Sequence, residues 1–569
     1  MKKYLLSFLT VLTPLLTFAQ DVEEVGIDQQ IDQAFKPISD FFSSVIFFEV
    51  APDTPFVIVL LVGSAAFFTI YFGFPNIRFF GKAVNTVRGK YEDIEKYGAK
   101  ELYGEDGIAQ GTDMNKVDSL DKHLETVDEL AIDGDIVDTI RDESSDGEVS
   151  HFQALATAVS GTVGNGNIAG VALAIALGGP GATFWMIVCG LLGMSTKFVE
   201  CTLGVQYRDV GPDGTVYGGP MYYLSKGLKE RGFAWLGKIA AVLFAIFCIG
   251  GSFGGGNAAQ SNQATIVIKE MFDWESTLAG TIVGVVLAIL VGIIIIGGIK
   301  RIAKVTEKVV PLMAVMYIIC CLYIIFSNFS LIDDAIGLIV EEAFNPTAIG
   351  VGGLIGVLLV GFKRAAFSNE AGAGSASIAH SAVKTKYSAS EGLVALLEPF
   401  IDTVVICSMT ALVIIIFNFG GDAAGATIFQ YGGDGAGGVM IDGVSYEGAG
   451  ITSEAFAAYI PYSDVFLTIA VVLFAVSTMI SWSYYGLQSW KYLFGRGRVA
   501  DLTYKFLFLL FVVIGAAASM KSIWDFSDAM IFAMVFPNMI GLYFLFPVVK
   551  KQLNRYLDAI KLKRNAIDD

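Results

Sequence analysis

Apolar runs long enough to cross a bilayer recur along most of this chain. They fall at 55–79, 152–178, 181–206, 236–264, 277–298, 306–327, 348–379, 392–418, 463–490, 502–520 and 526–548, eleven segments in all. A membrane-spanning helix takes about 20 apolar residues, so the pattern predicts an all-α polytopic membrane protein. Ahead of these runs, Lys2 and Lys3 precede an apolar stretch that ends at Thr17-Phe18-Ala19-Gln20, which reads as a signal peptide over residues 1–20. Residues 21–54 then form a periplasmic or interfacial segment. Within it, 29–50 present Phe41, Phe42, Ile46, Phe47 and Phe48 as the apolar side of an amphipathic helix.

Positive residues mark alternate loops. Arg208, Lys226, Lys229, Arg231 and Lys238 fill one; Lys300, Arg301, Lys304 and Lys308 the next; Lys384 and Lys386, then Lys491, Arg496 and Arg498, two later ones. Loops 328–346 and 419–461 carry no Lys or Arg. The positive-inside rule then sets the mature N-terminus outside and the tail, residues 551–569, in the cytoplasm, as in a bacterial inner membrane. On that plan 55–79 is an extra first span and 91–149 an acidic cytoplasmic insertion with no chemistry of its own. Residues 150–327 and 347–550 are two sets of five spans in opposite orientation. The Gly- and Asp-rich loop 419–461 lacks the alternation of a calcium loop and is expected to be a solvated cap.

Two spans are interrupted. In 152–178, Gly161-Thr162-Val163-Gly164-Asn165-Gly166-Asn167 places three glycines within six residues, and each costs a helix about 1 kcal/mol against Ala. In 348–379, Phe367–Ser377 reads FSNEAGAGSAS. Unwound backbone persists in a bilayer only where protein or a water-filled cavity satisfies its N–H and C=O groups. Gly-broken segments at matching places in two halves point to a transporter whose solute and coupling ion bind between the breaks. If the helix resumes at Ile168, Asn167 lies near its N-cap and the amides of 165–168 face the break, where they favour an anion such as an amino-acid carboxylate. Carbonyls of 159–162 suit Na⁺ or an ammonium. Gly164-x-Gly166-x-x-Ala169 also matches a dinucleotide fingerprint, but no strand–helix unit surrounds it.

Polar residues at depth supply the remaining candidates. Lys363, Arg364, Asn369 and Glu370 sit in or beside the second break. Charges there are normally paired, so Glu370 is expected to partner Lys363, Arg364 or backbone amides. Lys197 with Glu200, and Glu398 with Asp402, read as pairs within their own helices. Asn257 and Gln260, after Gly254-Gly255-Gly256, share one helix face. Ser477 and Thr478 offer hydroxyl oxygens to a hard cation or back-bond to their own helix. Trp482, Tyr484 and Tyr485 read as a lid or an interfacial belt.

Composition narrows the field further. The 569 residues are 54% hydrophobic, and a net charge of −17 makes nucleic acid an unsuitable partner. The six cysteines lie in apolar segments without disulfide or metal spacing, and His123, His151 and His380 are scattered. Neither a metal centre nor Ser–His catalysis is implied, and no cofactor. A channel would repeat its filter by symmetry, whereas these two breaks are dissimilar. A sensor on a transporter fold, with 91–149 as its output, remains an alternative.

The quoted residues resemble the alanine or glycine:cation symporter family. The similar pieces are SHFQALATAVSGTVGNGNIAGVALAIALGGPGATFWM from Ser150, GMSTKFVECTLGVQYR, GGPMYYL, GGIKRIAKVTEKVVPLMAV, KRAAFSNEAGAGSASIA, FIDTVVICSMTALV and SWSYYG. The resemblance implies a LeuT-like five-plus-five inverted repeat after one extra span, and sodium-driven uptake of a small neutral amino acid. It implies a substrate site of Gly164, Asn165, Gly166, Asn167, Gln260 and Trp482, and a sodium site of Thr162, Val163, Ser477 and Thr478. Where family members usually read GTGN, this chain has Gly164-Asn165-Gly166-Asn167. The larger side chain with its extra donor admits a broader range of amino acids, and proton coupling is the alternative to sodium.

Overall fold

A computed structural model describes residues 27–51, 54–103, 147–211, 214–274, 276, 278–346, 353–420, 427–432 and 437–568. The expected signal peptide and most of the acidic insertion lie outside the described residues.

The described residues form a bundle of helices with three short two-stranded hairpins. In order, the principal helices are α1 (Ile27–Ile46), α2 (Phe56–Tyr71), α3 (His151–Thr162), α4 (Ala169–Gly178), α5 (Gly181–Gln206), α6 (Ala234–Met271), α7 (Ala279–Ile295), α8 (Gly298–Ser327) and α9 (Ile332–Phe344). They continue as α10 (Gly353–Asn369), α11 (Ser388–Asn418), α12 (Ala449–Ala457), α13 (Ser463–Phe494), α14 (Arg498–Ala517) and α15 (Met520–Asp568). Among the described residues, seven helices are long and apolar enough to cross a membrane, and the bent pair α3–α4, with 58° between its halves, makes an eighth. The shorter apolar helices α2 and α7, of 16 and 17 residues, and α10 fall where the other spans were expected.

Local sequence fixes the entry to the central layer. Ser150 caps α3: its Oγ accepts from the Gln153 amide at 3.3 Å, and Gln153 Oε1 accepts from the Ser150 amide at 3.1 Å. This capping box satisfies two amides that a helix start otherwise leaves without partners. Gly179, at φ 68°, turns the chain between α4 and α5, a left-handed conformation that favours glycine. Helix α5 then runs through the middle of the bundle against α2, α10 and α11, while α6 packs on α13 and α15. Leu312, Val315, Ile319, Tyr323 and Phe326 leave an exposed apolar stripe along α8, and Ile282, Val286, Ile289 and Ile293 leave another along α7. Such stripes suit lipid.

The structure departs from expectation in three places. In α1 the face turned inward is Phe35, Ser39, Phe42 and Ile46, with Phe35 stacked edge-on to Phe526 at 5.0 Å and Ser39 Oγ donating to the Ser522 carbonyl at 2.8 Å. Phe41 is exposed, and Phe48, just past the helix end, is exposed on one side while its ring stacks on Phe536. The loop 419–461 is only partly a solvated cap. Its hairpin Gly438–Ile441/Val444–Glu447 turns on Asp442 and Gly443, both left-handed, and leads into α12, whose Ile451, Ala455 and Phe456 are buried. Thr452 Oγ1 donates to the Ile168 carbonyl at 3.3 Å, so this loop closes over the first break. Finally, the edges of the acidic insertion enter the core. The Glu148 amide donates to the Ala382 carbonyl at 2.8 Å, the Ala99 amide to Tyr387 Oη at 3.0 Å, and Glu95 is buried.

Candidate functional site

The first break is a real one. Helix α3 stops at Thr162, Gly164 is extended, and Asn165–Asn167 make a single tight turn before α4. Asn167 folds its side chain back, with Oδ1 accepting from the Gly164 amide at 2.9 Å. The expectation of free amides over 165–168 needs correction. The Asn165 amide donates to Gln260 Oε1 at 3.0 Å, the Asn167 amide to the Gly164 carbonyl at 3.1 Å, and the Ile168 amide to the Asn165 carbonyl at 3.2 Å. The tight turn closes the Asn167 and Ile168 amides on itself, and Gln260 accepts from the Asn165 amide. Asn165 Nδ2 donates to the Gln260 carbonyl at 3.2 Å, leaving Asn165 Oδ1 buried without a protein partner.

The second break follows α10. Glu370, at φ 54°, ends the helix in a left-handed conformation, and Gly372 and Gly374 continue it at φ 96° and 87°. A non-glycine residue there is uncommon, and the surrounding contacts hold it. Glu370 accepts from Trp482 Nε1 at 2.9 Å and from Ser375 Oγ at 2.5 Å. The expected pairing with Lys363 or Arg364 is therefore wrong: Lys363 Nζ lies 2.9 Å from Asp528 Oδ2, and Arg364 pairs with the same carboxylate. Residues 363 and 364 precede residue 370 by nearly two helical turns, about 10 Å along the axis, and α15 supplies a nearer acid.

The two breaks meet. A Cβ added at Gly166 would stand 3.6 Å from both Phe367 Cδ1 and the Ser368 Cα, in ordinary contact. Between them lies Asp402, fully buried on α11. Asn167 Nδ2 donates to Asp402 Oδ1 at 2.7 Å; Ser368 Oγ and Thr403 Oγ1 donate to Asp402 Oδ2 at 2.9 and 2.7 Å. Asn369 Nδ2 completes the group by donating to Thr403 Oγ1 at 3.0 Å. The sequence signal for Asp402 was its depth, but the i, i+4 spacing to Glu398 suggested a pair within the helix. Instead, residues 400–407 are wound as a wider π-helical turn, a feature frequent at functional sites.

On the far side, α13 presses against the first break. Ser160 Oγ donates to the Ser477 carbonyl at 2.7 Å, and Thr478 Oγ1 to the Ser160 carbonyl at 3.0 Å. A Cβ on Gly164 would overlap Thr478 Oγ1 and stand 3.0 Å from Gln260 Oε1. Thr478 thus reaches the break, whereas Thr162 and Ser477 back-bond, Thr162 to the Ala158 carbonyl at 3.3 Å and Ser477 to the Phe474 carbonyl at 2.9 Å. Val163 is buried beside them. Trp482 is fully buried against Gly256, not an interfacial belt residue. Asn257 and Gln260 part ways, because Gly254–Ala258 is also a π-turn: Asn257 Nδ2 donates to the Phe508 carbonyl at 2.6 Å while Gln260 turns to Asn165.

A buried ionic chain adjoins this centre, and the sequence did not disclose it. Lys197 Nζ donates to Glu398 Oε1 at 3.0 Å, and His380 Nε2 lies 3.5 Å from Glu398 Oε2. His380 Nδ1 meets Glu391 Oε1 at 2.5 Å; Glu391 also meets His151, whose Nε2 lies 2.6 Å from Glu95 Oε2. Glu95 in turn accepts from Tyr556 Oη at 2.6 Å. The expected Lys197–Glu200 pair is replaced by Lys197–Glu398, with Glu200 accepting from Asn538 Nδ2 at 2.7 Å. Among the described residues, no group of three or more His, Cys, Asp or Glu is arranged to hold a metal ion.

A membrane bundle whose interrupted helices meet at a buried polar centre is built like a solute transporter. A family model described as the sodium:alanine symporter family matches residues 131–568, and the chain belongs to that family. The sodium/alanine symporter AgcS of Methanococcus maripaludis is 41% identical over 422 residues, covering 74% of this chain and 87% of that one. A putative sodium/proton-dependent alanine carrier protein, YrbD of Bacillus subtilis, is 36% identical over 439 residues, with 76% and 85% covered. The probable sodium/glutamine symporter GlnT of Bacillus subtilis is 34% identical over 424 residues, with 74% and 82% covered. Among solved structures, MhsT in complex with L-phenylalanine aligns at 14% identity with a TM-score of 0.45, over 73% of this chain and 99% of that one.

Proposed function

We propose that this protein is a secondary active symporter that takes up a small neutral amino acid with sodium across a bacterial inner membrane. The reading has eleven spans. The helix within 55–79 comes first, then two five-span repeats, 150–327 and 347–550, in opposite orientation and LeuT-like in plan. The mature N-terminus is periplasmic and residues 551–569 are cytoplasmic. The observation that carries it is the meeting of the two breaks, with Gly166 against Phe367 and Ser368. Sequence membership supports the substrate class: AgcS and YrbD are both named for alanine, and AgcS for sodium.

In this mechanism the substrate lies among Gly164, Asn165, Gly166, Asn167, Gln260 and Trp482. Gln260 Oε1 occupies the Asn165 amide that a substrate carboxylate would use, so binding displaces Gln260. Asn165 Oδ1, buried without a partner, accepts from the substrate's ammonium. Sodium sits between the first break (Thr162, Val163) and Ser477 and Thr478. Lys363, Arg364, Asn369 and Glu370 belong to the framework that holds the second break. The repeats then rock against each other to open the site alternately. A broader specificity is the second reading. Asn165 brings an amide donor to the site, and one relative is named for glutamine.

The test is uptake of alanine, glycine, serine and glutamine into proteoliposomes under an inward Na⁺ gradient, against a control with K⁺ in place of Na⁺ at constant pH and membrane potential. The reading requires uptake with Na⁺ only. Uptake driven equally by a pH gradient without Na⁺ would move the coupling to protons.

A further inference from the structure

Glu95 joins three parts of the chain that are far apart in sequence. Its Oε1 accepts from the Tyr556 hydroxyl and its Oε2 faces His151 Nε2, each at 2.6 Å, while its carbonyl accepts from the Lys386 amide at 3.0 Å. His151 opens α3 and with it the first set of five spans. Lys386 and the helix that carries Tyr556 belong to the second. Glu95 belongs to neither. It lies in the short helix Glu92–Tyr97, ahead of residues 131–568 that the family model matches.

This contact stands where the inner halves of the two broken helices end. Those halves are α3, before the first break, and Ala376–His380, after the second. They pack on each other, and Ala158, Ala376 and Ala395 close over Cys201 of α5, all four fully buried. At the ends of both halves a single carboxylate, Glu391, meets Nδ1 of His151 and Nδ1 of His380. Glu95 takes the remaining nitrogen of His151. Each ring nitrogen of His151 thus faces a carboxylate, one from α11 and one from the segment ahead of α3.

The two acids are held very differently. Glu391 sits on α11, which spans the bundle. Glu95 sits on a helix of six residues, too short to stand alone. That helix is kept in place from outside by Lys563 of α15, which pairs with Asp93 and donates to the Lys90 carbonyl at 2.7 Å. A segment docked through a few contacts opens far more readily than the core beneath it. Of the two carboxylates on His151, Glu95 is the one that can leave.

We propose that Glu95 is a positioning residue of the transport cycle. Docked, it fastens His151 of the first repeat to Lys386 and Tyr556 of the second and keeps the inner path shut. Withdrawn with helix 92–97, it leaves His151 on Glu391 alone, and the repeats part toward the cytoplasm. This deepens the symport reading and rests on it. The rate of inward opening is then set in part by a segment that touches neither break.

The experiment compares the full-length wild type with Glu95→Gln and Lys563→Ala in proteoliposomes. Glutamine keeps the size of the side chain and an oxygen for Tyr556, and it removes the carboxylate facing His151. Lys563→Ala loosens the docking of helix 92–97 from its outer side, so it remains informative if Glu95→Gln fails to fold. Modification by N-ethylmaleimide is followed cysteine by cysteine by mass spectrometry. Cys201 reads the parting of the inner halves, and Cys321, fully buried on α8, reads general loosening. Glu95→Gln is expected to speed modification of Cys201 about tenfold or more and to leave Cys321 unchanged. Lys563→Ala is expected to speed Cys201 by a smaller factor. A merely structural role would speed both cysteines together. That result, or Cys201 at the wild-type rate in every variant that folds, overturns the inference and leaves symport standing where the wild type takes up alanine with Na⁺. A wild type that takes up no alanine under a Na⁺ gradient overturns the symport reading and this inference with it.

Discussion

Trp482 donates its indole N–H to Glu370 Oε1 at 2.9 Å, tying α13 to the left-handed residue that ends α10. The indole packs on Gly256 of α6, so one side chain fixes the second break against two helices. Phenylalanine at 482 keeps most of the packing and deletes the donor. A buried acceptor left without its partner costs about 1–3 kcal/mol. Trp482→Phe is therefore expected to slow uptake on the order of tenfold and lower the melting temperature. Glu370→Gln, which keeps an acceptor oxygen, is expected to cost less than Glu370→Ala. Equal effects of the last two on uptake and melting would contradict this role.

Gly164 and Gly166 are two residues apart but meet different surroundings. A methyl group at 164 overlaps Thr478 Oγ1, whereas at 166 it makes ordinary contacts at 3.6 Å. Gly164→Ala should abolish amino-acid uptake, and Gly166→Ala should leave a substantial fraction of it. Radiolabelled alanine uptake, normalised to protein in the membrane, reads the contrast directly.

The chain Glu95–His151–Glu391–His380 alternates carboxyl and imidazole groups, three of them buried and His151 half-buried. Removing one member of a buried ionic pair leaves its partners uncompensated, at about 3–5 kcal/mol. Glu391→Gln should lower thermal stability in detergent by several degrees. Lys521→Ala, which breaks an exposed pair with Asp525, should change it little.

The edge of the acidic insertion is pinned to α15. Asp93 pairs with Lys563 and accepts from Tyr103 Oη at 2.9 Å. Burial works to raise the Asp93 carboxyl, but the Lys563 and Tyr103 hydrogen bonds outweigh it and hold it below its ordinary value of 3.8. Tyr103 is pushed up to about 12 by burial and by Asp93. A depressed carboxylate stabilises docking above its unfolded pKa, and that contribution is lost as pH falls from about 4 through the folded value. Hydrogen exchange of residues 92–103 should accelerate in that window. In Asp93→Asn it should be fast at every pH.

What the sequence disclosed divides along physical lines. Apolar length marks a span and glycine spacing marks a break, so both interruptions and the apolar part of each long helix were legible, but not the run of α15 on to Asp568 through the polar residues read as a tail. Hydrogen-bond partners were not, because side-chain direction depends on helix winding. The π-turns at Gly254–Ala258 and Phe400–Cys407 shift the faces of Asn257, Gln260 and Asp402 away from the regular spacing. Charge pairing failed for the same reason. Lys197, Glu370 and Arg364 each found a partner on another helix or loop, at sequence separations that no local rule reaches. The buried role of Glu95 was hidden because it sits in a segment whose composition is that of a surface.

The most direct test of the central claim is to run the coupling backwards. Proteoliposomes are prepared with equal Na⁺ on both sides, clamped membrane potential and an inward alanine gradient, and ²²Na⁺ accumulation is followed. If one site between the two breaks binds both solutes, linkage is reciprocal. Alanine will then drive ²²Na⁺ inward, and a Gly164→Ala protein will not. Alanine entry with no net ²²Na⁺ movement would contradict symport through this site.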